Sequence, residues 1–423
     1  MSYAATYMEQ LGIAAKKAEK TVSALKTAKK NAALELIAEK LMQNAEFIKA
    51  QNQKDIDRAR ERALTRAFID RLTLTDGRVA DMANGVMSLV ALPDPIGEVL
   101  GGGELLSGLS VVKKRVPLGV IGIIFESRPN VAVDAAALCL KSGNVCILRG
   151  GSDALNSNKC LADIMRGALS ECDINPDAVL LVEDTEREIA LEMMKARRYI
   201  DVLVPRGGGG LISTVVNNSA VPVIETGEGN CHVYVDASAD ARMAVEITDN
   251  AKTQRPSVCN AVETLLVNAD IAGEFFPLLA ERWGIGTPEP KVKIYGDAAS
   301  AKYIKTEREA TDEDYRKEFN DNIIAVKTVK NTDEAIEHIN RFGTGHSECI
   351  VTGDLDNAEK FQSEVDAAAV YVNASTRFTD GFEFGLGAEI GITTQKLHAR
   401  GPMGLKELTT YKYLINGKGQ IRK

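Results

Sequence analysis

Cys259 is the residue of this sequence whose neighbours best suit covalent chemistry. It lies in a polar segment, Thr253–Asn260, that includes Arg255, and an apolar run at 263–267 follows this segment. Other cysteines, such as Cys139, lie inside apolar runs, where a thiol packs as a small hydrophobic side chain. A reactive thiolate needs partial exposure and nearby positive charge, which Arg255 could supply. Cys259 is therefore a candidate nucleophile, with a structural cysteine as the alternative.

A polar loop at 126–130, Glu-Ser-Arg-Pro-Asn, directly follows a long apolar run. Arg128, beside small polar groups such as Ser127 and Asn130, suits an anion or a developing oxyanion, because guanidinium and amide groups donate hydrogen bonds. A turn with a surface arginine is the alternative that the sequence leaves open.

Two glycine-rich loops hold further candidates. Residues 205–210, Pro-Arg-Gly-Gly-Gly-Gly, precede a predicted helix, and glycines at a helix N-terminus let a phosphate approach the backbone closely. A flexible turn is the alternative there.

The second glycine-rich loop, residues 225–232, begins with Glu225. This residue comes before glycines at the end of an apolar run and could act as a general base. A carboxylate paired within a turn explains Glu225 equally well.

The elements that must position these loops alternate along the chain. Helical periodicity fills residues 1–97, and a glycine-joined segment at 98–115 predicts a β-ribbon. Short apolar runs predict strands at 116–125, 145–148, 179–182, 201–204 and 221–225, and a second series follows between 233 and 373. Because helical stretches separate these runs, we expect two successive α/β units with parallel sheets, whose ligands bind at the carboxyl ends of the strands.

Composition excludes several classes of protein. Hydrophobic residues at 45% and charged residues at 26% indicate a globular chain, not a disordered or collagen-like one. The net charge of −8 argues against a general nucleic-acid surface, and no apolar run is long enough to predict a membrane span. The N-terminus lacks the features of a secretory signal, and the seven scattered cysteines predict neither disulfides nor a structural zinc site. We therefore expect a cytoplasmic protein without a metal.

Several segments resemble the aldehyde dehydrogenase superfamily. The segment from Glu225 to Gly229 is similar to its Glu-Leu-Gly-Gly segment, and Cys259 follows at about the spacing of its catalytic cysteine. Glu318 resembles the residue that holds the nicotinamide ribose, and the stretch ending at Arg149 resembles the one that reaches the adenosine ribose. The resemblance implies an aldehyde dehydrogenase-like α/β fold with two doubly wound α/β domains and a small β oligomerisation element.

Within the superfamily, nearly the whole chain resembles the gamma-glutamyl phosphate reductase family. The segments that carry this resemblance are Phe125–Asn130, Glu225–His232 and Val329–Ile350. Phe342 stands where that family usually has Tyr or His, a change that keeps the ring and loses a polar group. His338 and His346 mark the family, and glycines lie between them, so we expect structural hydrogen-bonding roles and not a metal pair.

The resemblance implies a reaction in which L-glutamyl 5-phosphate and NADPH give L-glutamate 5-semialdehyde, phosphate and NADP+, the second step of proline biosynthesis. Cys259 would attack the acyl-phosphate carbonyl and expel phosphate, and hydride from NADPH would reduce the thioester. The oxyanion donors would be the Cys259 N–H and a side chain from 127–130, although Arg128 could instead hold the leaving phosphate. The counterpart of Glu225 activates water in hydrolytic relatives, so in a reductase we expect only proton transfer or orientation from it.

The predicted site residues form three groups. The catalytic group comprises Cys259, Asn130, Arg128 and Glu225. The cofactor-binding group comprises Arg149, Gly150, Ser152, Arg206, Gly207, Gly208 and Glu318. The substrate-binding group comprises Ser127, Asn260, Ser375 and Arg377.

Two of these residues bear on specificity. Ser152 stands close to the position where NAD-selective relatives have a glutamate, which would repel a 2′-phosphate. A serine there, with Arg149 nearby, predicts NADPH. Arg377 lies in a polar loop at 373–381 and could hold the substrate carboxylate in a bidentate manner, with an ion pair inside the fold as the equal alternative.

The predicted domain plan has four parts. These are a cofactor-binding domain at 1–225 with the ribbon at 98–115 inserted, a catalytic domain at 226–370 carrying Cys259, a return to the cofactor-binding domain with the substrate loop at 371–404, and an oligomerisation segment at 405–423. The ribbon and the tail have β-edges that demand a partner, so we expect a homodimer or a higher even oligomer. We also expect a separate kinase to supply the acyl phosphate, with glutamate 5-kinase as a candidate partner.

Two other functions stay open. An oxidising aldehyde dehydrogenase of the same fold would hydrolyse the thioester with water and would not need phosphate. A non-enzymatic nucleotide-binding or scaffolding protein would not need the Cys259 thiol.

Overall fold

The computed structural model describes residues 2–422. The chain divides into two α/β units. The first unit comprises the residues up to Thr226, Gly385–Gly391 and the segment from Met403 on, and the second comprises Gly227–Phe384 and Ile392–Pro402. Within residues 2–422, no helix is long and apolar enough to cross a bilayer, and no group of three or more His, Cys, Asp or Glu side chains could hold a metal ion.

A helical layer opens the first unit. Its helices are α1 (Tyr3–Val22), α2 (Thr27–Gln43), α3 (Ala45–Glu61), α4 (Arg66–Leu72) and α5 (Asp76–Ala91). The hydroxyls of Thr65 and Thr75 accept N–H groups three residues further on, which satisfies donors that a helix N-terminus leaves unpaired. Leu34, Ile37 and Leu41 recur at helical spacing along α2 and are buried, so this face of the helix packs into the core.

A three-stranded antiparallel sheet corresponds to the predicted ribbon and tail. Its strands are β1 (Val99–Glu104), β2 (Ser110–Pro117) and β16 (Thr409–Asn416), in the order β1-β2-β16. Leu106, Tyr413 and Ile415 are exposed on and beside this sheet. The sheet therefore presents apolar side chains that its own strands do not cover.

A parallel sheet forms the core of the first unit. Its strands are β3 (Val120–Phe125), β4 (Val145–Arg149), β5 (Val179–Leu181) and β6 (Val202–Arg206), in the order β5-β4-β3-β6. The helices that connect and follow them are α6 (Asn130–Lys141), α7 (Leu155–Glu171), α8 (Arg187–Lys195) and α9 (Gly209–Asn218), with 3₁₀ turns at Ser152–Ala154 and Pro176–Ala178. Every residue of β3 is buried, as expected for a central parallel strand. The loops after β3, β4 and β6 share one edge of the sheet because parallel strands end on the same side.

The apolar run at 221–225 is not a strand, contrary to the prediction. It forms a single parallel bridge between Val223 and Leu203. Pro222 has no N–H to donate, and the Val221 N–H points back to the Met194 carbonyl at 3.3 Å. The ladder therefore stops at one bridge, although Val221 is buried as its apolar character predicts.

A second parallel sheet forms the core of the second unit. Its strands are β7 (Cys231–Val235), β8 (Val262–Asn268), β9 (Lys293–Gly296), β10 (Arg308–Glu309), β11 (Ile323–Val329), β12 (Ser347–Val351) and β13 (Ala369–Val372), in the order β10-β9-β11-β8-β7-β12-β13. The helices are α10 (Ala241–Thr253), α11 (Ala272–Trp283), α12 (Thr332–Phe342) and α13 (Leu355–Glu364), with 3₁₀ turns at Ser300–Lys302, Asp314–Arg316 and Thr376–Phe378 and a short antiparallel pair, β14 (Ile392–Thr393) and β15 (Gly401–Pro402). Phe275, Phe276 and Trp283 of α11 fill the core beside this sheet.

The end of the chain departs from the predicted domain plan. The predicted return to the first domain begins at 371, but β13 pairs with β12, so this strand belongs to the sheet of the second unit. The Thr376 hydroxyl donates to the Asn260 carbonyl at 2.7 Å, which keeps the following loop in the same unit. The chain joins the first unit only at 385–391 and again from 403 on. The difference arises because strand pairing decides to which unit a segment belongs, and the periodicity of the sequence does not reveal which strands pair.

Candidate active site

Cys259 lies in a turn between α10 and β8, which we call the nucleophile turn (residues 254–261). The turn is closed by the Ala261 N–H, which donates to the Val258 carbonyl at 3.0 Å. Cys259 is half-buried, as is Cys172, whereas the other cysteines are buried. A half-buried thiol in a turn meets the access requirement for a nucleophile.

Gly229 packs against the carbonyl of Cys259. A Cβ built at Gly229 would fall well inside the van der Waals radius of the Cys259 carbonyl oxygen, so a glycine is required there. The Gly229 N–H donates to Glu318 Oε1 at 3.3 Å. The Cys231 thiol donates to the Cys259 carbonyl at 3.2 Å. The glycine-rich loop at 225–232 therefore packs against the nucleophile turn and holds it in place. The sequence did not reveal this role.

Asn260 connects the nucleophile turn to the predicted substrate loop. Its Nδ2 donates to the carbonyls of Arg377 at 3.3 Å and Thr379 at 2.9 Å, and its own carbonyl accepts the Thr376 hydroxyl. Its Oδ1 is buried with no hydrogen-bond partner in residues 2–422. The amide nitrogen of Asn260 is thus engaged by backbone carbonyls, so Asn260 positions the loop, and the predicted substrate-binding role of this residue stays a prediction.

Arg377 and Ser375 lie in that loop. The Arg377 Nε donates to Gln254 Oε1 at 2.8 Å, so the guanidinium contacts an amide from the nucleophile turn. Burial and the nearby charge of Arg255 lower the pKa of Arg377, and its interaction with the Cys259 thiol acts in the opposite direction. Ser375 is buried, and its hydroxyl accepts the Arg377 N–H at 3.3 Å. A half-buried cation close enough to interact with the thiol favours the thiolate.

A buried ion pair lies behind the nucleophile turn. Lys252 Nζ is 2.6 Å from Glu263 Oε2, and both side chains are 0% exposed. Burial raises the pKa of Glu263 and lowers that of Lys252. The Glu263 Oε1 also accepts the Asn320 N–H at 3.3 Å, two residues after Glu318, whose pKa burial raises. The pair ties α10 and β8 to the segment that carries Glu318, and sequence analysis missed it because no local pattern marks it.

The two family histidines differ in their surroundings. His346 is buried, with Nδ1 2.8 Å from Ser347 Oγ and 3.7 Å from Cys231 Sγ, and burial lowers its pKa to about 4. His338 was also expected to hydrogen-bond, but neither ring nitrogen has a partner in the described part of the chain. Its ring instead packs between Tyr315, at 4.9 Å between centroids, and Phe342, at 4.5 Å. Burial lowers its pKa to about 2, so His338 is a neutral ring in an aromatic cluster.

The strand ends of the first unit carry the predicted cofactor residues except Glu318, which lies in the second unit. We call residues 126–130, 149–152 and 206–210 the nucleotide edge. Arg149 ends β4, and its Nη2 donates to the Thr185 carbonyl at 3.1 Å. Its Nε is buried without a partner in residues 2–422. Ser152 is exposed. A dinucleotide could therefore take a hydrogen bond from Arg149 and approach an uncharged side chain beside it.

The glycine run leads into α9 as predicted, but a carboxylate occupies part of it. The Gly208 N–H donates to Glu126 Oε2 at 3.1 Å, and a Cβ at Gly207 would lie 2.6 Å from Glu126 Cδ. A Cβ at Gly208 would meet no atom within 4 Å, so the other side of this glycine is open. Arg206 ends β6 and is half-buried. Glu126, which the sequence did not single out, caps a helix N-terminus where a phosphate was expected.

The polar residues of the loop after β3 differ in their exposure to solvent. Arg128 is exposed, Ser127 is buried, and Asn130 begins α6. The Asn130 Nδ2 donates to Asp134 Oδ2 at 3.0 Å, and burial raises the pKa of Asp134 to about 6. One amide hydrogen of Asn130 is thus used inside α6, and its service as an oxyanion donor stays a prediction.

Glu225 lies at the end of the first unit and is half-buried. Its neighbour Thr226 is buried, and the Thr226 hydroxyl donates to the Pro205 carbonyl at 2.6 Å.

Gly150, in the nucleotide edge after β4, packs so closely on Asn158 that a Cβ there would overlap the Asn158 amide. The glycine at 150 is therefore required by packing inside the unit.

Comparisons with known proteins agree with this architecture. The model of the aldehyde dehydrogenase family matches residues 3–296 and 303–413. A gamma-glutamyl phosphate reductase from Clostridium botulinum (strain Eklund 17B / Type B) is 55% identical over 411 residues, which cover 97% of this chain and 98% of that protein. One from Carboxydothermus hydrogenoformans is 58% identical over 408 residues, which cover 96% of this chain and 97% of that protein.

Solved structures show the same fold. The crystal structure of gamma-glutamyl phosphate reductase from Thermotoga maritima matches with a TM-score of 0.94 and 48% identity, covering 98% of this chain and 99% of that one. An acetylating aldehyde dehydrogenase from Geobacillus thermoglucosidasius matches with a TM-score of 0.70 and 18% identity, covering 99% and 98%. The aldehyde dehydrogenase-like α/β fold predicted from the sequence is therefore confirmed.

Proposed function

Because this chain belongs to the aldehyde dehydrogenase family, and within it to the gamma-glutamyl phosphate reductases, we propose that it reduces L-glutamyl 5-phosphate to L-glutamate 5-semialdehyde. The reaction would use NADPH, release phosphate and serve as the second step of proline biosynthesis. The observation that carries the proposal is the nucleophile turn, in which a half-buried Cys259 is braced by Gly229 and linked through Asn260 to the Arg377 loop.

In this proposal, the Cys259 thiolate attacks the acyl carbon and phosphate leaves with the electrons of the broken C–O bond. The product of this step is a glutamyl thioester. Arg377 and Arg255 favour the thiolate by their positive charge. The Cys259 N–H is the candidate donor to the oxyanion, and one such donor is worth about 3–4 kcal/mol of transition-state stabilisation. Asn130 remains the candidate for a second donor and Arg128 for the phosphate ligand.

When bound, NADPH supplies the hydride that reduces the thioester carbonyl. The collapsing thiohemiacetal then releases the aldehyde and regenerates the Cys259 thiolate. Arg149, Ser152, Gly207 and Gly208 are proposed to hold the cofactor, because Arg149 has an unpaired Nε and the side of Gly208 away from Glu126 is open. Glu318 is the proposed ribose ligand.

The uncharged Ser152 supports the choice of NADPH over NADH. An acidic residue at that position would repel the 2′-phosphate, and Ser152 is exposed at the strand end beside Arg149. Gly150 and Arg206 are proposed to shape the same site from the ends of β4 and β6.

The substrate's α-carboxylate is proposed to bind the Arg377 guanidinium, with Ser375 holding the loop through the Arg377 N–H. Glu225 is proposed to transfer a proton or to orient reacting groups. It is not proposed to activate water, because hydrolysis of the thioester would give glutamate in place of the aldehyde. The exposed apolar side chains of the ribbon support assembly into a homodimer or a higher even oligomer.

The reverse reaction tests the proposal. Purified protein with L-glutamate 5-semialdehyde and NADP+ should form NADPH continuously only when phosphate is present, because phosphate must release the thioester. Without phosphate, each active site should form one NADPH and stop at the thioester. An oxidising aldehyde dehydrogenase would turn over without phosphate, and such turnover would reject the reductase assignment. Cys259→Ala should abolish the reaction, and Cys172→Ala, which removes the other half-buried thiol, should not.

A further inference from the structure

Buried hydrogen-bonding side chains lie beside the nucleophile turn, at the amino ends of three neighbouring strands of the second unit. Cys231 begins β7 and pairs with Val262 at the start of β8. Ser347 begins β12, and the residues that follow the two cysteine and serine positions, His232 and Glu348, pair with each other. Cys231 and Ser347 are therefore neighbours across the sheet, at the end where the nucleophile turn enters β8.

Cys231 holds the nucleophile turn from this side. Its thiol donates to the Cys259 carbonyl at 3.2 Å, and its sulfur lies 3.7 Å from His346 Nδ1. Cys231 is 0% exposed, and burial raises the pKa of its thiol, so the thiol keeps its proton and stays a donor. A buried, protonated thiol is a poor nucleophile, so the covalent chemistry stays with Cys259.

His346, Ser347 and Thr379 continue this chain of hydrogen bonds. Burial lowers the pKa of His346 to about 4, so the ring is neutral, and its Nδ1 is 2.8 Å from Ser347 Oγ. The Ser347 hydroxyl donates to Thr379 Oγ1 at 2.7 Å, so Ser347 Oγ accepts the proton of His346 Nδ1. All three side chains are buried, and each has a defined role as donor or acceptor.

Asn260 closes the chain into a ring. Its Nδ2 donates to the Thr379 carbonyl at 2.9 Å, and Asn260 directly follows Cys259. The ring thus begins and ends on the nucleophile turn and passes through the loop that carries Arg377. In such a ring, a shift of one member breaks a buried hydrogen bond, which costs more than breaking an exposed one. We call this set the buried ring: Cys259, Asn260, Thr379, Ser347, His346 and Cys231.

We propose that the buried ring is a positioning device, which holds the Cys259 carbonyl and the Arg377 loop in one fixed geometry. This inference rests on the proposed function, in which Cys259 attacks a substrate whose carboxylate binds Arg377. The attack needs the sulfur and the acyl carbon to be closely aligned, and a small misplacement lowers the rate strongly. The ring therefore acts on turnover and leaves the intrinsic reactivity of the thiol unchanged.

Steady-state kinetics of the phosphate-dependent reverse reaction test the proposal with two variants of Cys231. Cys231→Ala lacks the donor to the Cys259 carbonyl and should lower kcat at least about tenfold, with KM for L-glutamate 5-semialdehyde changed less than about threefold. Cys231→Ser restores a donor and should recover a substantial part of that loss. If Cys231 only fills space, serine should do no better than alanine, because a buried hydroxyl costs more than a methyl group.

Cys349→Ala is the matched control for the loss of a buried thiol. Cys349 lies on β12 two residues after Ser347, is also 0% exposed, and packs in the apolar core outside the buried ring. Its replacement should lower stability and leave kcat within about twofold of the wild type. Thr379→Val keeps the test valid if Cys231→Ala does not fold. It removes the acceptor of the Ser347 hydroxyl and should lower kcat at least about threefold.

Alkylation of Cys259 by iodoacetamide, followed by mass spectrometry, gives a readout that needs no bound substrate. Its rate and pH profile should be the same in Cys231→Ala and the wild type, because the ring positions the thiol without changing its charge. Cys172, the other half-buried thiol, is the internal reference. A shifted pH profile in Cys231→Ala would assign Cys231 to the ionisation of Cys259 and overturn the positioning role.

The kinetic results also separate this inference from the proposed function. Wild-type kcat in both Cys231→Ala and Thr379→Val would overturn the positioning role and leave the reductase assignment intact. Wild-type protein without phosphate-dependent turnover would overturn the proposed function and this inference together.

Discussion

The nucleophile turn and the nucleotide edge are built in opposite ways. Around Cys259 the chain is closely packed, because Gly229 leaves no room for a side chain and Asn260 uses its amide on backbone carbonyls. At the nucleotide edge, Gly208 faces open space on one side and Ser152 is exposed. Covalent chemistry needs an atom held to a fraction of an ångström, whereas a dinucleotide can be held by a broad surface of backbone and polar groups. The contrast predicts that equal substitutions have unequal effects in the two regions.

A methyl group added in each region gives the largest expected difference. Gly229→Ala should lower kcat of the phosphate-dependent reaction at least about 100-fold, because the Cβ must displace the Cys259 carbonyl. Gly208→Ala should change kcat less than about threefold, since its φ of −70° suits alanine and no protein atom lies within 4 Å of the Cβ, and its effect should fall on KM for the cofactor proposed to bind there. Steady-state kinetics with circular dichroism as a check on folding would measure both. Similar losses in the two variants would contradict the contrast.

Breaking the buried ion pair should cost the next largest amount. Lys252→Met leaves the Glu263 carboxylate buried without its cation and should lower the free energy of unfolding by about 3–5 kcal/mol. Lys159→Met breaks an exposed pair with Glu183 and should cost less than about 1 kcal/mol. Urea unfolding compares them, and the double variant Lys252→Met/Glu263→Leu should recover much of the loss. If Lys252→Met is as stable as the wild type, the buried ion pair does not stabilise the fold.

Asp134, which accepts the side-chain amide of Asn130 in the nucleotide edge, tests whether a buried carboxylate next to that edge also affects stability. Its folded pKa of about 6 lies above the ordinary value of 3.8, so the folded state binds more protons than the unfolded state. Stability should therefore fall as the pH rises from about 4 to 6, by at most about 3 kcal/mol from this group. Urea unfolding of wild type and Asp134→Asn at these pH values measures the difference. An equal pH dependence in both proteins would reject the raised pKa.

Cofactor preference should give the smallest effect. Ser152→Glu should raise KM for NADPH about 10- to 100-fold and leave KM for NADH nearly unchanged, because only NADPH carries the 2′-phosphate. Ser152→Ala, which adds no charge, is the matched control. Equal shifts for the two cofactors would place Ser152 away from the 2′-phosphate.

Local patterns in the sequence predicted the strands β3, β4, β7 and β8 and the accessible position of Cys259, because apolar runs and flanking polar residues are local signals. They failed where distant residues meet. The requirement for glycine at 229 depends on a carbonyl thirty residues later, and the partner of Lys252 is buried on the next strand. The run at 221–225 also looked like a strand until Pro222 limited it to one bridge.

The resemblance to a known family supplied what periodicity could not, such as the roles assigned to Glu318 and Arg149. It did not predict that Glu126 caps the glycine run, or that the Asn260 amide is used by backbone. These contacts are side chain to backbone and depend on loop geometry, which neither spacing nor composition encodes.

The covalent intermediate on Cys259 is the most direct test of the account. Wild-type protein given L-glutamate 5-semialdehyde and NADP+ without phosphate should accumulate one glutamyl group, which mass spectrometry of the proteolysed protein should locate on Cys259. Added phosphate should remove the group. A glutamyl group on another residue, or one that also forms in Cys259→Ala, would contradict the central claim.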